Sequence, residues 1–147
     1  MSIYRHIPAS PLNQYVDFCW YYVDLSPDHD REHVLPDGTV ELIVNLQETP
    51  RKLFHGADST DYDAFKRGWI SGAHSKFLVI DALPLSSMIG VHFKPGGAAA
   101  FLGMPADELA SQVSSWTRFG VIPFGIGAIS CSPLAHQIRN SVFSNGC

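Results

Sequence analysis

Cysteine is scarce and scattered: Cys19, Cys131 and Cys147 are the only three in 147 residues, and no two lie close together. That spacing excludes a disulfide framework and a zinc site built on paired thiolates. No apolar run approaches the ~18 residues that a membrane-spanning helix needs, so no contact with a membrane is expected. The opening residues 1–12 lack the apolar stretch of a signal peptide, which makes the cytoplasm the expected compartment. Charged residues are few, at 16%, and the formal net charge of −4 offers nucleic acid no overall attraction. What is present is globular: 46% hydrophobic residues and 12% aromatic ones can bury a core in a single domain. Ten prolines and twelve glycines, spread along the chain, point to many short elements and exclude collagen, coiled coil and wholesale disorder.

Acidic residues are also missing from one end. All fourteen fall at or before Glu108, so residues 1–116 carry eight basic against fourteen acidic side chains, a net −6. From Thr117 to Cys147 the only charged side chains are Arg118 and Arg139, and no sustained helical or strand period is visible. This shift marks a boundary near Trp116, dividing a domain at 1–116 from an atypical tail at 117–147. Two readings of the tail stand: a native segment that packs against a partner, or the truncated or frame-altered end of a longer gene.

Before that boundary the pattern is mostly β. Residues 18–25 are rich in aromatics and read as a strand; 26–30 read as a turn. Pro36, Asp37 and Gly38 make a strong turn, with Pro36 presetting φ and Gly38 suited to a positive one. Residues 40–46 follow as a strand more apolar than strict alternation gives, hence central. Short strands are expected at 52–55, 69–70, 77–80 and 87–93, with 56–67 a polar loop. After the turn at Pro95, Gly96 and Gly97 the character changes. A short helix at 98–102 ends at Gly103, and Pro105 starts another over 106–113 with acids in its first turn. The expected fold is mainly β: a small β-barrel or jelly roll followed by short helices.

A family resemblance rests on these residues taken in order. Pro11, Leu12, Tyr15, Val16 and 18–21 come first, then an LPDG–EL block at 35–42 within 35–46. Next come 68–72 (GWISG), a G-V-x-F-x-P-G-G block at 90–97, 101–105 (FLGMP), Glu108 and Leu109. Together, over about 8–116, they resemble the N-terminal domain of a group of AraC-type bacterial transcriptional regulators. The resemblance implies a cupin-like barrel that, in a full-length regulator, precedes a DNA-binding domain of two helix-turn-helix motifs. Past Trp116 neither motif is recognisable, so the chain reads as the regulatory half without the half that reads DNA.

Chemical motifs are weak throughout. His29, Glu32 and His33 match H-x-x-E-H, which binds zinc only on a helix; Pro27 and Pro36 leave barely two turns for one. A solvated loop is the expectation there. Metal-binding cupins carry H-x-H with a nearby glutamate, and none of the seven histidines forms that pattern. The run 58–63 resembles half a calcium loop but lacks its central glycine and terminal glutamate. Pro95, Gly96 and Gly97 stand where a phosphate is sometimes held, without a following Lys-Ser/Thr, so a close backbone turn is the better reading. Cys19 lies in an aromatic strand and reads as core. No catalytic residue, metal ligand or cofactor is therefore assigned.

The aromatic residues allow two readings, barrel filling or pocket lining. As lining, Trp20 or Tyr22 with Trp69 offers a flat surface to a small effector, and Glu41, His92 or Lys94 supplies polar contacts. Period-two alternation sets Glu41 with Ile43 opposite Val40, Leu42 and Val44, and His92 with Lys94 opposite Val91 and Phe93. The expected function is a sensory and regulatory domain, not an enzyme. It would bind a small effector or form a homodimer, without binding DNA directly by itself. Alternatives from other classes are a small metal-dependent cupin oxygenase or isomerase, and a stand-alone interaction module packing through Phe101, Leu102, Leu109 and Val113.

Overall fold

The apolar alternation of the central segments is realised as two antiparallel sheets, with residues 2–115 described in a computed structural model. The strands are β1 (Ser2–His6), β2 (Val16–Leu25), β3 (Arg31–Val34), β4 (Glu41–Asn45) and β5 (Arg51–Phe54). They continue as β6 (Tyr62–Phe65), β7 (Gly68–Ser71), β8 (Leu78–Asp81), β9 (Ser86–Phe93) and β10 (Val113–Ser115). One short helix, α1 (Ala99–Leu102), and 3-10 turns at Leu12–Gln14 and Ala106–Leu109 complete the described residues. The larger sheet runs β1-β2-β9-β4-β7-β10 and the smaller β3-β8-β5-β6. The protein is thus mainly β. Of the barrel or jelly roll expected, the described residues form no closed barrel: β3 and β4, consecutive in the chain, pair in different sheets, and the strands make two antiparallel sheets.

Strand β4 sits centrally, between β9 and β7, as its apolar run requires. Its register divides the larger sheet into two faces. Leu42 and Val44 share one face with Cys19, Ile70, Ile89, Val91 and Phe93, and this face forms the hydrophobic core with Ala98, Leu102 and Leu109 from the segment that follows β9. At roughly 25 cal/mol per Å2 of apolar area removed from water, such a face supplies most of the stabilisation a domain this small can draw on. Glu41, Ile43, Trp69, Gly90 and His92 lie on the opposite face, toward the smaller sheet. Both faces are therefore covered, one by helical turns and one by a second sheet.

Several local expectations need correction. The 56–67 segment contains β6, an edge strand paired only with β5 and exposed except at Phe65, so its polarity hides it. The 29–33 motif is half strand: His33 lies on β3 and stacks on Phe77 with centroids 4.8 Å apart. Residues 106–113 make a single 3-10 turn, after which Ser111 takes φ 58 and Val113 enters β10. Pairing with β7 satisfies a ladder of backbone groups that a short helix would have left open. Strand β1 escapes sequence reading altogether. The tail at 117–147 and its boundary at Trp116 lie outside the described residues.

The turn at Pro36, Asp37 and Gly38 is present, with Gly38 at φ 74, but it carries the chain from the smaller sheet to the larger and does not close a hairpin. Asp37 Oδ1 accepts hydrogen bonds from the Thr39 backbone N–H at 3.0 Å and from Thr39 Oγ1 at 2.6 Å, an Asx-type lock. A Cβ at Gly38 would meet nothing within 4 Å, so a substitution there costs backbone strain alone. Gly38→Val is expected to lower unfolding free energy by about 1–2 kcal/mol and Gly38→Ala by less. Urea melts read this directly, and a wild-type midpoint in the valine variant would refute the strain.

Candidate functional site

The inner face of the larger sheet carries a polar network built on Glu41. Cross-strand pairing sets Glu41 opposite His92 on β9 and opposite Ser71 on β7, while Trp20 on β2 pairs with Gly90. Trp20 Nε1 donates to Glu41 Oε1 at 2.6 Å, and His92 Nδ1 stands 3.4 Å from the same oxygen. His92 Nε2 lies 3.2 Å from Thr39 Oγ1 and 3.7 Å from Asp37 Oδ2. The network therefore runs from the sheet to the Asp37 turn. Trp20 can lie flat across the sheet because residue 90 is glycine: a Cβ there would come 2.0 Å from the Trp20 ring. Trp20 stacks on Tyr22 with centroids 5.6 Å apart, and Phe18 stacks on His92 at 4.5 Å.

His92 is mostly buried beside carboxylates. Its hydrogen bond to Glu41 raises its pKa, burial opposes this, and the charges of Glu41, Asp37 and Asp17 add to the rise. A folded-state value above the unfolded one means the protonated ring stabilises the fold below ~6.5, and that this contribution fades as pH rises through the folded value. Asp37 moves the other way: partial burial pushes it up, but bonds from Thr39 and the charge of His92 hold it below its ordinary value. His92→Gln is expected to cost about 1 kcal/mol through the lost hydrogen bond. The cost should be larger near pH 5.5 than near pH 9. His74, lowered by burial, is common to both proteins and cancels in the comparison. Equal costs at both pH values, read from denaturant melts, would sink the assignment.

On the facing sheet the network meets a buried ion pair. Arg51 opens β5 and Asp81 ends β8, and Arg51 Nε donates to Asp81 Oδ1 at 2.7 Å with side chains 4% and 7% exposed. Arg51 Nη2 also donates to the Asp81 carbonyl, and Nη1 points at Met88 Sδ, 3.7 Å away on the larger sheet. Asp81 Oδ2 is buried with no hydrogen-bond partner among the described residues. The Tyr22 hydroxyl lies near Arg51 and 2.8 Å from Met88 Sδ. Burial raises the Tyr22 pKa, with Arg51 pulling it back down.

Between the sheets, Arg51 borders a cavity of about 50 Å3, with Ile43, Leu53, Trp69, Leu78 and Ile80 as apolar wall and Glu41 and Ser71 as further polar points. A second cavity of about 40 Å3 lies under the 35–39 turn and shares Val34, Glu41, Ser71 and Leu78 with the first. Glu41 and Ser71 thus stand at the junction of an apolar inner chamber and an outer one of mixed lining.

The sequence-derived candidates are placed as follows. Trp20, Tyr22, Glu41, Trp69 and His92 share the inner face, and Glu41 and Trp69 border the inner cavity directly. Lys94 is apart: β9 ends at Phe93, so the alternation that grouped it with His92 stops, and its side chain is exposed while its backbone N–H bonds Tyr15 O. Pro36 and Asp37 border the outer chamber, Gly38 lies in the same turn without lining it, and Pro95, Gly96 and Gly97 form the turn between β9 and α1. The two readings of the aromatics divide by face: Tyr21 and Phe93 are core, Trp20, Tyr22 and Trp69 are not on that side, and Phe77 is exposed. Arg51 and Asp81 escaped sequence reasoning. Arg51 follows Pro50 and precedes Lys52, a setting that reads as solvated; its shared face with Leu53 was the available signal. Among the described residues no group of three or more His, Cys, Asp or Glu is placed to hold a metal ion, and no helix is long and apolar enough to cross a membrane.

A family model described as "Domain of unknown function (DUF6597)" matches residues 4–115. No curated protein and no solved structure matches the chain.

Proposed function

Since the chain belongs to that family, whose description assigns no activity, we propose a function from the site itself: an effector-sensing regulatory domain of the AraC type, cupin-like in its layout. The single observation that carries the reading is the inter-sheet cavity, an apolar chamber with a buried arginine and a glutamate on its wall. Small-molecule sites have this make-up: mostly apolar walls with few polar groups that fix orientation. The motifs behind the family resemblance support it by position. The LPDG–EL block supplies the Asp37 roof and Glu41, and the G-V-x-F block supplies Gly90 and His92. A ligand held between the sheets contacts both and couples their spacing to occupancy, provided that it binds one arrangement more tightly than another.

The reading calls for binding without turnover. Thermal melting of the purified chain against a small-molecule panel is expected to reveal compounds that raise Tm and are recovered unchanged. Chemical conversion of a bound compound, with a stoichiometric metal in elemental analysis, would replace this reading with a cupin enzyme.

DNA is not the expected direct partner of this polypeptide. Residues 1–116 carry eight basic and fourteen acidic side chains, a net −6, which repels a duplex and releases none of its counterions. Lys66 and Arg67, with Lys76 ten residues on, are too few for a groove-spanning footprint. In a gel-shift titration against its own upstream region at moderate salt, no specific complex is expected. Saturable binding that survives competitor DNA would overturn this.

A further inference from the structure

We propose that the inner cavity takes an uncharged carbonyl compound of about one ring in size, its carbonyl oxygen on Arg51 and a hydroxyl on Glu41. The inference rests on the effector-sensing reading and adds the chemistry of the ligand. A cavity of about 50 Å3 holds about four water-sized spheres, which sets the scale at about one ring. Its apolar wall asks for an apolar body.

The polar points fix the two ends. Arg51 has five N–H donors. Asp81 Oδ1 and the Asp81 carbonyl take two and the Tyr22 hydroxyl shares a third, while the partner of Nη1 on Met88 is a thioether at 3.7 Å, a weak acceptor. A ligand oxygen is a better acceptor for that edge of the guanidinium than sulfur is. At the junction, Trp20 and His92 both address Glu41 Oε1, and no donor among the described residues reaches Oε2. A ligand hydroxyl supplies one.

Charge decides between a neutral carbonyl and a carboxylate. The Arg51 charge is already matched by Asp81 at 2.7 Å, and the other acid on the wall is Glu41. Lys52 borders the cavity too, but its ammonium lies 4.6 Å from the Tyr62 ring centroid, on an exposed aromatic. A carboxylate entering the chamber would lose its water, find no free cation and face Glu41. A neutral carbonyl avoids all three costs.

Four probes separate these claims on the wild-type chain: 4-hydroxybenzamide, 4-hydroxybenzoate, 4-methylphenol and benzamide, titrated with NMR detection of the indole N–H signals. 4-Hydroxybenzamide is expected to bind about tenfold more tightly than each of the others, since each lacks one hydrogen bond or adds an uncompensated charge. In Arg51→Lys, which keeps a cation beside Asp81 but loses the fork, its advantage over 4-methylphenol should disappear. Should that variant fail to fold, the four-probe comparison on the wild type carries the test alone. Equal or tighter binding of the benzoate, equal binding of 4-methylphenol, or no binding by any probe would overturn the proposal. Failure of the four probes while other panel compounds still raise Tm and shift Trp69 would sink the carbonyl chemistry and leave sensing intact. An entirely silent panel would sink both.

Discussion

Asp81→Ala is expected to destabilise the fold by about 3–5 kcal/mol, the largest effect of any single substitution considered, because it strands a buried guanidinium. Arg51 is 3% exposed, and its Nε bond to Asp81 Oδ1 at 2.7 Å is its main charge compensation. The pair itself is no reservoir of stability, since desolvating two ions offsets most of their attraction. The double variant Arg51→Met/Asp81→Ala should therefore recover much of the loss, because methionine fills the arginine's path without a charge to bury. Urea denaturation of the wild type, both single variants and the double variant gives the coupling. A double variant as unstable as the sum of its parts would show that the pair is not what Asp81→Ala breaks.

Gly90→Ala is expected to cost about 3 kcal/mol, an overpacking penalty at the centre of the larger sheet. The added Cβ would sit 2.0 Å from the Trp20 ring, so the indole must leave its place. Its bond to Glu41 then breaks and the stack on Tyr22 opens, which carries the damage into the site. The mechanism predicts a specific rescue. In a Trp20→Ala background, where the ring is gone, Gly90→Ala should cost less than 1 kcal/mol, near the ordinary range for small surface-like changes. An undiminished cost in that background would locate the penalty in the strand backbone instead of the indole.

Where the central strands fall along the chain was legible because burial wrote it into the side chains. Residues 40–46 put Val40, Leu42 and Val44 on one face of β4 and Ile43 between Glu41 and Asn45 on the other, and the structure puts the core on the first side and the second sheet on the other. Gly38 and Gly103 were legible for a different reason: positive φ, at 74 and 65, leaves few residue choices. What escaped are strands whose stability comes from pairing. β1, β6 and β10 lie at sheet edges: the first two carry mostly exposed side chains without a period, and β10 is a three-residue strand whose partner β7 lies far back in the sequence. The same limit hid half of the site. Alternation grouped Glu41 with Ile43 and set His92 on a strand, yet it did not say which face met the second sheet. Nor could local pattern join Arg51 to Asp81, two charged residues that look solvated one at a time. Lys94 shows the converse: a face inferred by alternation ends where the strand ends, at Phe93.

The most direct test of a ligand site between the sheets is a two-dimensional 1H–15N spectrum of the whole chain, recorded with and without any compound that raises its Tm. Trp69 borders the inner cavity and Trp20 bonds Glu41 at its junction, so their indole N–H signals should shift together with the Arg51 Nε–H signal, saturating at one equivalent. Stabilising compounds that leave all three signals unmoved, and instead perturb residues around Ala98, Leu102 and Leu109 on the opposite face, would contradict the account.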